Sequence, residues 1–147
     1  MIRRADEKNR LPNTAFFSDL DQLKQWLQQH QLSPAQVSLN LSSLIHEVYS
    51  YGTPESIRDF WSFVNESGFG SITIRDMCLD QTAHRPSLKE DVLKVRRTLS
   101  AHMIEEFEAC HGSLSDNYQL IHLLMKYRYQ ANWQRECAEN YLPLTLE

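Results

Sequence analysis

The feature that most constrains the fold is a strand–helix–strand pattern in the middle of the chain. Apolar and polar residues alternate in residues 37–43 and again in residues 71–77, which is typical of strands with one buried face. A helix begins between them at Thr53-Pro54-Glu55, an N-cap residue followed by Pro at the first helical position. Two strands joined by a helix in this way form a right-handed crossover with parallel strands. The pattern therefore predicts an α/β protein.

The rest of the chain is predicted to be mostly helical. Residues 18–30 carry apolar residues at helical spacing, with Asp19 as a candidate N-cap, and residues 14–17 are predicted as a third strand. The second half of the chain shows helical spacing alone, with one long helix over residues 87–110, another over residues 116–129 and a short last one. We expect the apolar stripes of these helices to form core.

The composition limits the class of protein. Fifteen Lys and Arg residues stand against nineteen Asp and Glu, a formal net charge of −4, which excludes a strongly basic nucleic-acid coat. No apolar run approaches the roughly 18 residues of a membrane helix, and the charged residues 1–10 show no secretory signal. The three cysteines, Cys78, Cys110 and Cys137, lie far apart and favour free thiols in a reducing compartment. We therefore expect a soluble cytoplasmic protein with no membrane partner.

Polar residues follow both predicted strands. His46 and Glu47 lie just after the first strand, and Arg75 and Asp76 close the second. Because the carboxyl ends of parallel strands line the ligand crevice of α/β sheets, we expect these four side chains to lie at one edge of the sheet, in contact directly or through water. Two structural alternatives stay open. His46 can simply cap or hydrogen-bond its loop, and Arg75 and Asp76 can form an ion pair with each other or with Glu47.

Other motifs bear on the kind of site. An HExxH zinc motif would need His at position 50, where Ser50 stands, and no His/Cys set has zinc-like spacing, so no metal site is predicted. Glycine-rich phosphate loops and a GxSxG motif are also missing from the sequence. Residues 126–135 interleave basic and aromatic side chains. This pattern is typical either of a helix end that packs its aromatics or of a surface that binds RNA through phosphate contact and stacking.

The residues around the two strands resemble a known family. SLNLSSLIHEVYSYG at residues 38–52 and GSITIRDM at residues 70–77 resemble the fourth and fifth strands of class I S-adenosylmethionine-dependent methyltransferases. The tail at residues 120–145 is similar to the helical insertion that follows there, so that the resemblance covers roughly residues 14–147. It implies a Rossmann-like sheet, S-adenosylmethionine as cofactor and a methyl acceptor.

The resemblance also implies roles for single residues. Those implied in binding the cofactor are Asp19, beside the adenine, and Asn40 and Ser42, on the floor of the site. Those implied in catalysis are His46 and Glu47, as candidates for the base, and Arg75 and Asp76, which would orient the acceptor.

The chain departs from this family in what it lacks. The family's glycine-rich first loop and the acidic end of its second strand have no counterpart, and the resemblance ends before the sixth and seventh strands. We therefore expect a truncated or degenerate methyltransferase, and the alternatives are a non-catalytic interaction module and an RNA-binding accessory protein. The expected parts are a frayed segment, a partial Rossmann-like α/β unit of two or three parallel strands, and a helical region packed on it, at residues 1–13, 14–80 and 81–147.

The first strand, residues 37–41, would lie in the middle of the sheet in the full fold. Without the strand that carries the glycine-rich loop, its backbone N–H and C=O groups form an open edge, which can pair with another chain. We therefore expect a homo-oligomer, or a separate chain that completes the sheet.

Overall fold

The structure is a computed structural model that describes residues 14–17 and 19–146. Its helices are α1 (Leu20–Gln29), α2 (Ile45–Tyr51), α3 (Pro54–Glu66), α4 (Lys89–Thr98), α5 (Ala101–His111), α6 (Asn117–Lys126) and α7 (Trp133–Ala138). Its strands are β1 (Ser38–Ser42), β2 (Ser71–Arg75), β3 (Leu79–Asp80) and β4 (Thr145–Leu146). The predicted frayed segment, residues 1–13, lies outside the described residues. The α/β class, with small parallel sheets and a helical C-terminal region, is confirmed.

Strands β1 and β2 are parallel neighbours. At one end of the pair the hydroxyls of Ser38 and Ser71 are 2.6 Å apart, and at the other end Arg75 Nε donates to the hydroxyl of Ser42 at 2.9 Å. The amide of Ser43 donates to the carbonyl of Arg75 at 2.8 Å. This is the arrangement that the strand–helix–strand pattern predicts.

The helix between these strands begins and ends at the predicted residues. The hydroxyl of Thr53 accepts a hydrogen bond from the amide of Ser56 at 3.2 Å, and Pro54 is the first helical residue. The helix ends at Glu66, and Gly68 follows with φ of 68°, a left-handed conformation that suits glycine at the end of a helix.

The single long helix predicted over residues 87–110 is wrong, because the structure has two helices there. Leu99 and Ser100 between them have extended backbone, with ψ of 157° and 143°. The hydroxyl of Ser100 accepts from the amide of Met103 at 3.2 Å and so caps the start of α5. Both helices bury residues in the same core cluster, which is why the apolar spacing continues across the break.

The third strand predicted at residues 14–17 is also wrong, because these residues form no strand. A second sheet occurs elsewhere instead. Strands β3 and β4 pair in parallel, with Leu79 opposite Thr145 and Asp80 opposite Leu146. Strands of two residues are too short to show alternation in the sequence, so no pattern predicts them.

The chain divides into two compact units. The first contains the described residues up to Leu39 together with Val64–Ile72, and the second contains Asn40–Phe63 and the residues from Thr73 onward. The predicted division at residue 80 stays a prediction.

The second unit has a core built from its helices and the loops between them. Its buried cluster consists of Val95, Ile104, Phe107, Leu114, Leu120, Leu123 and Cys137. The three cysteines are free thiols, as predicted. Among the described residues, no helix has the length and apolar character needed to cross a membrane.

Candidate functional site

The carboxyl ends of β1 and β2 carry a buried histidine–aspartate pair. Asp76 directly follows β2, and His46 is the second residue of α2, the helix that begins shortly after β1. Nδ1 of His46 lies 2.7 Å from Oδ1 of Asp76, and the amide of His46 donates to Oδ2 at 3.1 Å. Each of the two side chains is only 8% exposed. The structure therefore brings these two predicted site residues into direct contact.

Asp76 is held as a carboxylate by its hydrogen bonds. Burial acts to raise its pKa, but the amide of Met77, which donates at 2.8 Å, and the two donors of His46 outweigh burial, so that the pKa lies below its usual value. An ionised carboxylate can only accept, so Nδ1 of His46 carries the proton of the pair. Asp76 thereby fixes both the orientation and the tautomer of the imidazole.

The other ring nitrogen of His46, Nε2, is then the basic atom. We find no hydrogen bond to Nε2 among the described residues, and no buried side-chain nitrogen or oxygen of those residues lacks a partner. Nε2 therefore keeps some contact with solvent, although the residue as a whole is only 7% exposed. An imidazole oriented in this way can take a proton from a molecule at the sheet edge, and Asp76 stabilises the cation that results.

Glu47 and Arg75 do not join this pair. Nη2 of Arg135 lies 3.4 Å from Oε1 of Glu47, in an ion pair whose side chains are about half exposed. Arg75 donates instead to the hydroxyl of Ser42. No ion pair of Arg75 occurs in the part of the chain that the structure describes, so the alternative of a structural ion pair at this residue is wrong.

The residues implied in cofactor binding have other contacts. The two carboxylate oxygens of Asp19 accept from the amide and the side-chain amide of Gln22, each at 2.9 Å, so that Asp19 is the N-cap of α1. Asp19 belongs to the first compact unit, whereas Asn40 and Ser42 belong to the second. Asn40 is exposed on β1, and the hydroxyl of Ser42 holds Arg75.

The glycines do not form a cofactor loop either. Gly70 precedes β2, where an added Cβ would clash with the carbonyl oxygen of Ala35. Gly52, Gly68 and Gly112 each follow a helix. A loop that cradles a nucleotide cofactor follows the carboxyl end of a strand, and none of the four glycines has this place. The described residues therefore do not fit S-adenosylmethionine.

The segment after α7 packs against His46, and no sequence pattern pointed to it. The ring of Tyr141 meets the ring of His46 edge-on, with centroids 5.3 Å apart. Glu139 is buried and accepts from the hydroxyl of Tyr51 at 2.7 Å and from Nε of Arg135 at 2.9 Å. These contacts join residues far apart in the chain, so only the folded structure reveals them.

Lys126, the first residue of the basic and aromatic stretch, is completely buried. Its ammonium donates to the carbonyl of Glu136 at 2.7 Å and to the carbonyl of Glu139. Burial lowers the pKa of Lys126 to about 8. Lys126 therefore cannot reach a phosphate, whereas Arg128 and Arg135 of the same stretch are exposed. RNA binding through the remaining residues stays a prediction.

Comparison with known proteins finds no relative. No protein-family model matches this chain, and neither a curated protein nor a solved structure matches it. Within the described residues, no group of three or more His, Cys, Asp or Glu side chains could hold a metal ion. Function is therefore inferred from the residues and their contacts.

Proposed function

We propose that this chain is an interaction module, a methyltransferase-like α/β half-domain that joins a second chain through the free edge of β2. The observation that carries the proposal is the exposure of this strand. All five residues of β2 are exposed, including Ile72 at 41% and Ile74 at 49%. On the same face of the sheet, the neighbouring strand buries Leu41. Edge strands that stay unpaired usually carry charges, bulges or Pro, whereas this one has two isoleucines at its centre and a single charge, Arg75, at its end.

The backbone of β2 is suited to receive another strand. The carbonyl of Arg75 points toward β1, where it accepts from the amide of Ser43. Successive residues of a strand direct their backbone groups to opposite edges, so the N–H and C=O groups of Ile72 and Ile74 point to the other edge. Among the described strands, β1 is the only neighbour of β2.

A second copy of this chain fits that edge. If two β2 strands pair in antiparallel fashion about Thr73, Ile72 of each copy lies opposite Ile74 of the other. These are hydrogen-bonded positions, in which two residues exchange both of their backbone bonds, and the four isoleucines share one face. Arg75 then lies opposite Ser71, so like charges do not meet. The interface is isologous, as in most homodimers.

We expect the chain to sediment at micromolar concentration with twice the mass of the 17.3 kDa monomer. Ile72→Lys should yield the monomer, because the ammonium would lie against an isoleucine of the other copy. Sedimentation equilibrium measures both. Amide exchange at Ile72 and Ile74 should also slow as the protein concentration rises.

The matched control for this experiment is Leu93→Lys. Leu93 lies on α4 and is 52% exposed, so the same change of charge and polarity should leave the dimer intact. A single 17.3 kDa species for the unaltered chain would contradict pairing between copies.

A second candidate function is proton transfer in a methyltransferase-like reaction, and the contact between His46 and Asp76 favours it. A methyl acceptor that attacks through an N–H or O–H group must lose a proton, and a base near the reacting atom speeds this step. In this role Nε2 of His46 takes the proton and Asp76 stabilises the imidazolium. The resemblance implies S-adenosylmethionine as the methyl donor, and no step here runs through it.

Calorimetry with S-adenosylmethionine tests this second function. Heat of binding, together with a thermal shift, would show that the chain holds the donor through residues other than those implied by the resemblance. No heat and no thermal shift up to millimolar concentration would exclude methyl transfer by this chain on its own. We expect this result from the contacts of Asp19 and Ser42, so that His46 would act as the base only with a donor held by a separate chain.

A further inference from the structure

We propose that a cavity beside Asp76 binds a small apolar amine. The cavity has a volume of about 300 Å³ and lies where β2 ends, beside the segment that leads into β4. Apolar or weakly polar side chains and one charged side chain line it, among them Ile45, Ile74, Met77, Cys78, Leu144 and Asp76. The cavity shares Ile74 with the proposed edge of β2, whereas its other lining residues lie outside that strand.

The charge in the cavity selects the ligand. Asp76 is the charged residue of the lining, and its side chain is only 8% exposed. No Lys or Arg of the described residues forms an ion pair with it. A ligand ammonium would supply the missing positive charge, whereas a ligand carboxylate would be repelled.

The carboxylate also has room for one more hydrogen bond. Oδ1 of Asp76 accepts from Nδ1 of His46 and from the amide of Met77, whereas among the described residues Oδ2 accepts only from the amide of His46. A carboxylate offers about four acceptor positions, two on each oxygen. One position on Oδ2 therefore remains for an N–H group of the ligand.

The remaining lining suits a small apolar body. A volume of about 300 Å³ lies at the lower end of the range for ligand pockets, which limits the ligand to roughly the size of one ring with a short arm. Three apolar side chains at the rim are exposed, Ile74 at 49%, Leu144 at 41% and Leu146 at 61%. The cavity is therefore open to ligand from the solvent.

The thiol of Cys78 provides a reporter in the wall. Its Sγ donates to the carbonyl of Leu144 at 3.3 Å, and the residue is half-buried. The exposed Cys110 is removed by Cys110→Ser, and Cys137 is buried, so alkylation of this variant reports on Cys78. A ligand in the cavity should protect Cys78 from alkylation.

The test compares benzylamine with benzyl alcohol, which has the same ring and no charge. By calorimetry on the full chain, we expect benzylamine to bind at least about tenfold more tightly, because only the amine forms the ion pair with Asp76. Benzylamine should also slow the alkylation of Cys78 in the Cys110→Ser variant. Equal affinity for the two probes, or no binding of either, would overturn the proposal.

Variants locate the binding site. Asp76→Asn should weaken benzylamine about tenfold and leave benzyl alcohol unchanged, whereas Asp59→Asn, at an exposed residue of α3, makes the same change in net charge and should alter neither. Because Asp76 also holds His46, its variant can fail to fold. Leu144→Trp is the second variant that tests the location of the site. Its larger side chain fills the cavity from an exposed position, so it should abolish binding of both probes. Benzylamine binding that survives Leu144→Trp places the amine elsewhere and overturns the proposal.

Discussion

Replacing Lys126 by methionine is expected to lower the free energy of unfolding by about 3 kcal/mol. The ammonium of Lys126 is completely buried and donates to the carbonyls of Glu136 and Glu139. Because α7 ends at Ala138, these carbonyls have no amide partner further along the helix. Methionine has a similar volume but cannot donate, so it leaves two buried acceptors unpaired, at about 1–3 kcal/mol each. Denaturant unfolding at neutral pH measures the loss.

Lys94→Met is the control for this experiment. Lys94 is exposed on α4, and the same substitution there should change the free energy of unfolding by no more than about 0.5 kcal/mol. A loss of less than about 1 kcal/mol at Lys126 would contradict the prediction, because it would mean that water replaces the ammonium at both carbonyls.

Lys126 belongs to a set of polar side chains that fix the segment after α7. Nε2 of His111 donates to the carbonyl of Cys137 at 2.6 Å, and the hydroxyl of Tyr118 donates to the carbonyl of Leu142 at 2.8 Å. With Lys126, they satisfy backbone acceptors in the last turn of α7 and in the segment that follows it. The same segment carries the residues that pack against His46, so these buried bonds also determine the surroundings of the candidate base.

The strand–helix–strand region could be predicted because its signals are local. Thr53 and Pro54 mark the start of α3 by their own side chains, and the alternation in β1 and β2 is visible within each strand. The contact between His46 and Asp76 follows from one further rule, that the carboxyl ends of adjacent parallel strands meet at one edge. The sequence therefore predicted the two strands that place this pair, but not α2, the helix that carries His46.

The remaining features could not be predicted because they depend on contacts between distant residues. Lys126 looks like a surface charge next to aromatic residues, and only the fold brings the end of α7 to its ammonium. Asp19 resembles an acidic residue of the family, yet its hydrogen bonds to Gln22 make it a helix cap. Ser100 interrupts a helix whose apolar stripe continues on both sides, so the stripe hid the break.

Lowering the pH is expected to reduce the free energy of unfolding through His122, at pH values where the carboxylates of the protein are still ionised. The side chain of His122 is 1% exposed, and its Nε2 accepts from the amide of Tyr141 at 3.2 Å. Burial, and then the charge of Lys126, lower its pKa to about 2. In the unfolded chain a histidine has a pKa of about 6.5, so between these values the unfolded state holds one more proton. The free energy of unfolding therefore falls as the pH falls, by about 1.4 kcal/mol per pH unit.

Two buried carboxylates titrate outside this pH window, and one further histidine titrates in the same direction as His122. Hydrogen bonds hold the pKa of Asp76 below its usual value against the effect of burial, and those from Tyr51 and Arg135 do the same for Glu139. Such carboxylates lose their contribution only as the pH falls below about 4. His111, whose pKa is lowered by burial, acts in the same direction as His122. His122 and His111 therefore both lower the free energy of unfolding as the pH falls from about 6 to about 4.5.

The variant His122→Gln isolates the contribution of this residue. The side-chain oxygen of glutamine can accept from the amide of Tyr141 in place of Nε2, but it does not titrate. We expect unfolding in denaturant to show that the variant loses about 2 kcal/mol less than the unaltered chain between about pH 6 and pH 4.5. His102→Gln is the control, because that side chain is 80% exposed, and it should keep the steeper dependence. Equal slopes for the unaltered chain and His122→Gln would contradict the prediction, because they would require His122 to accept a proton inside the folded core.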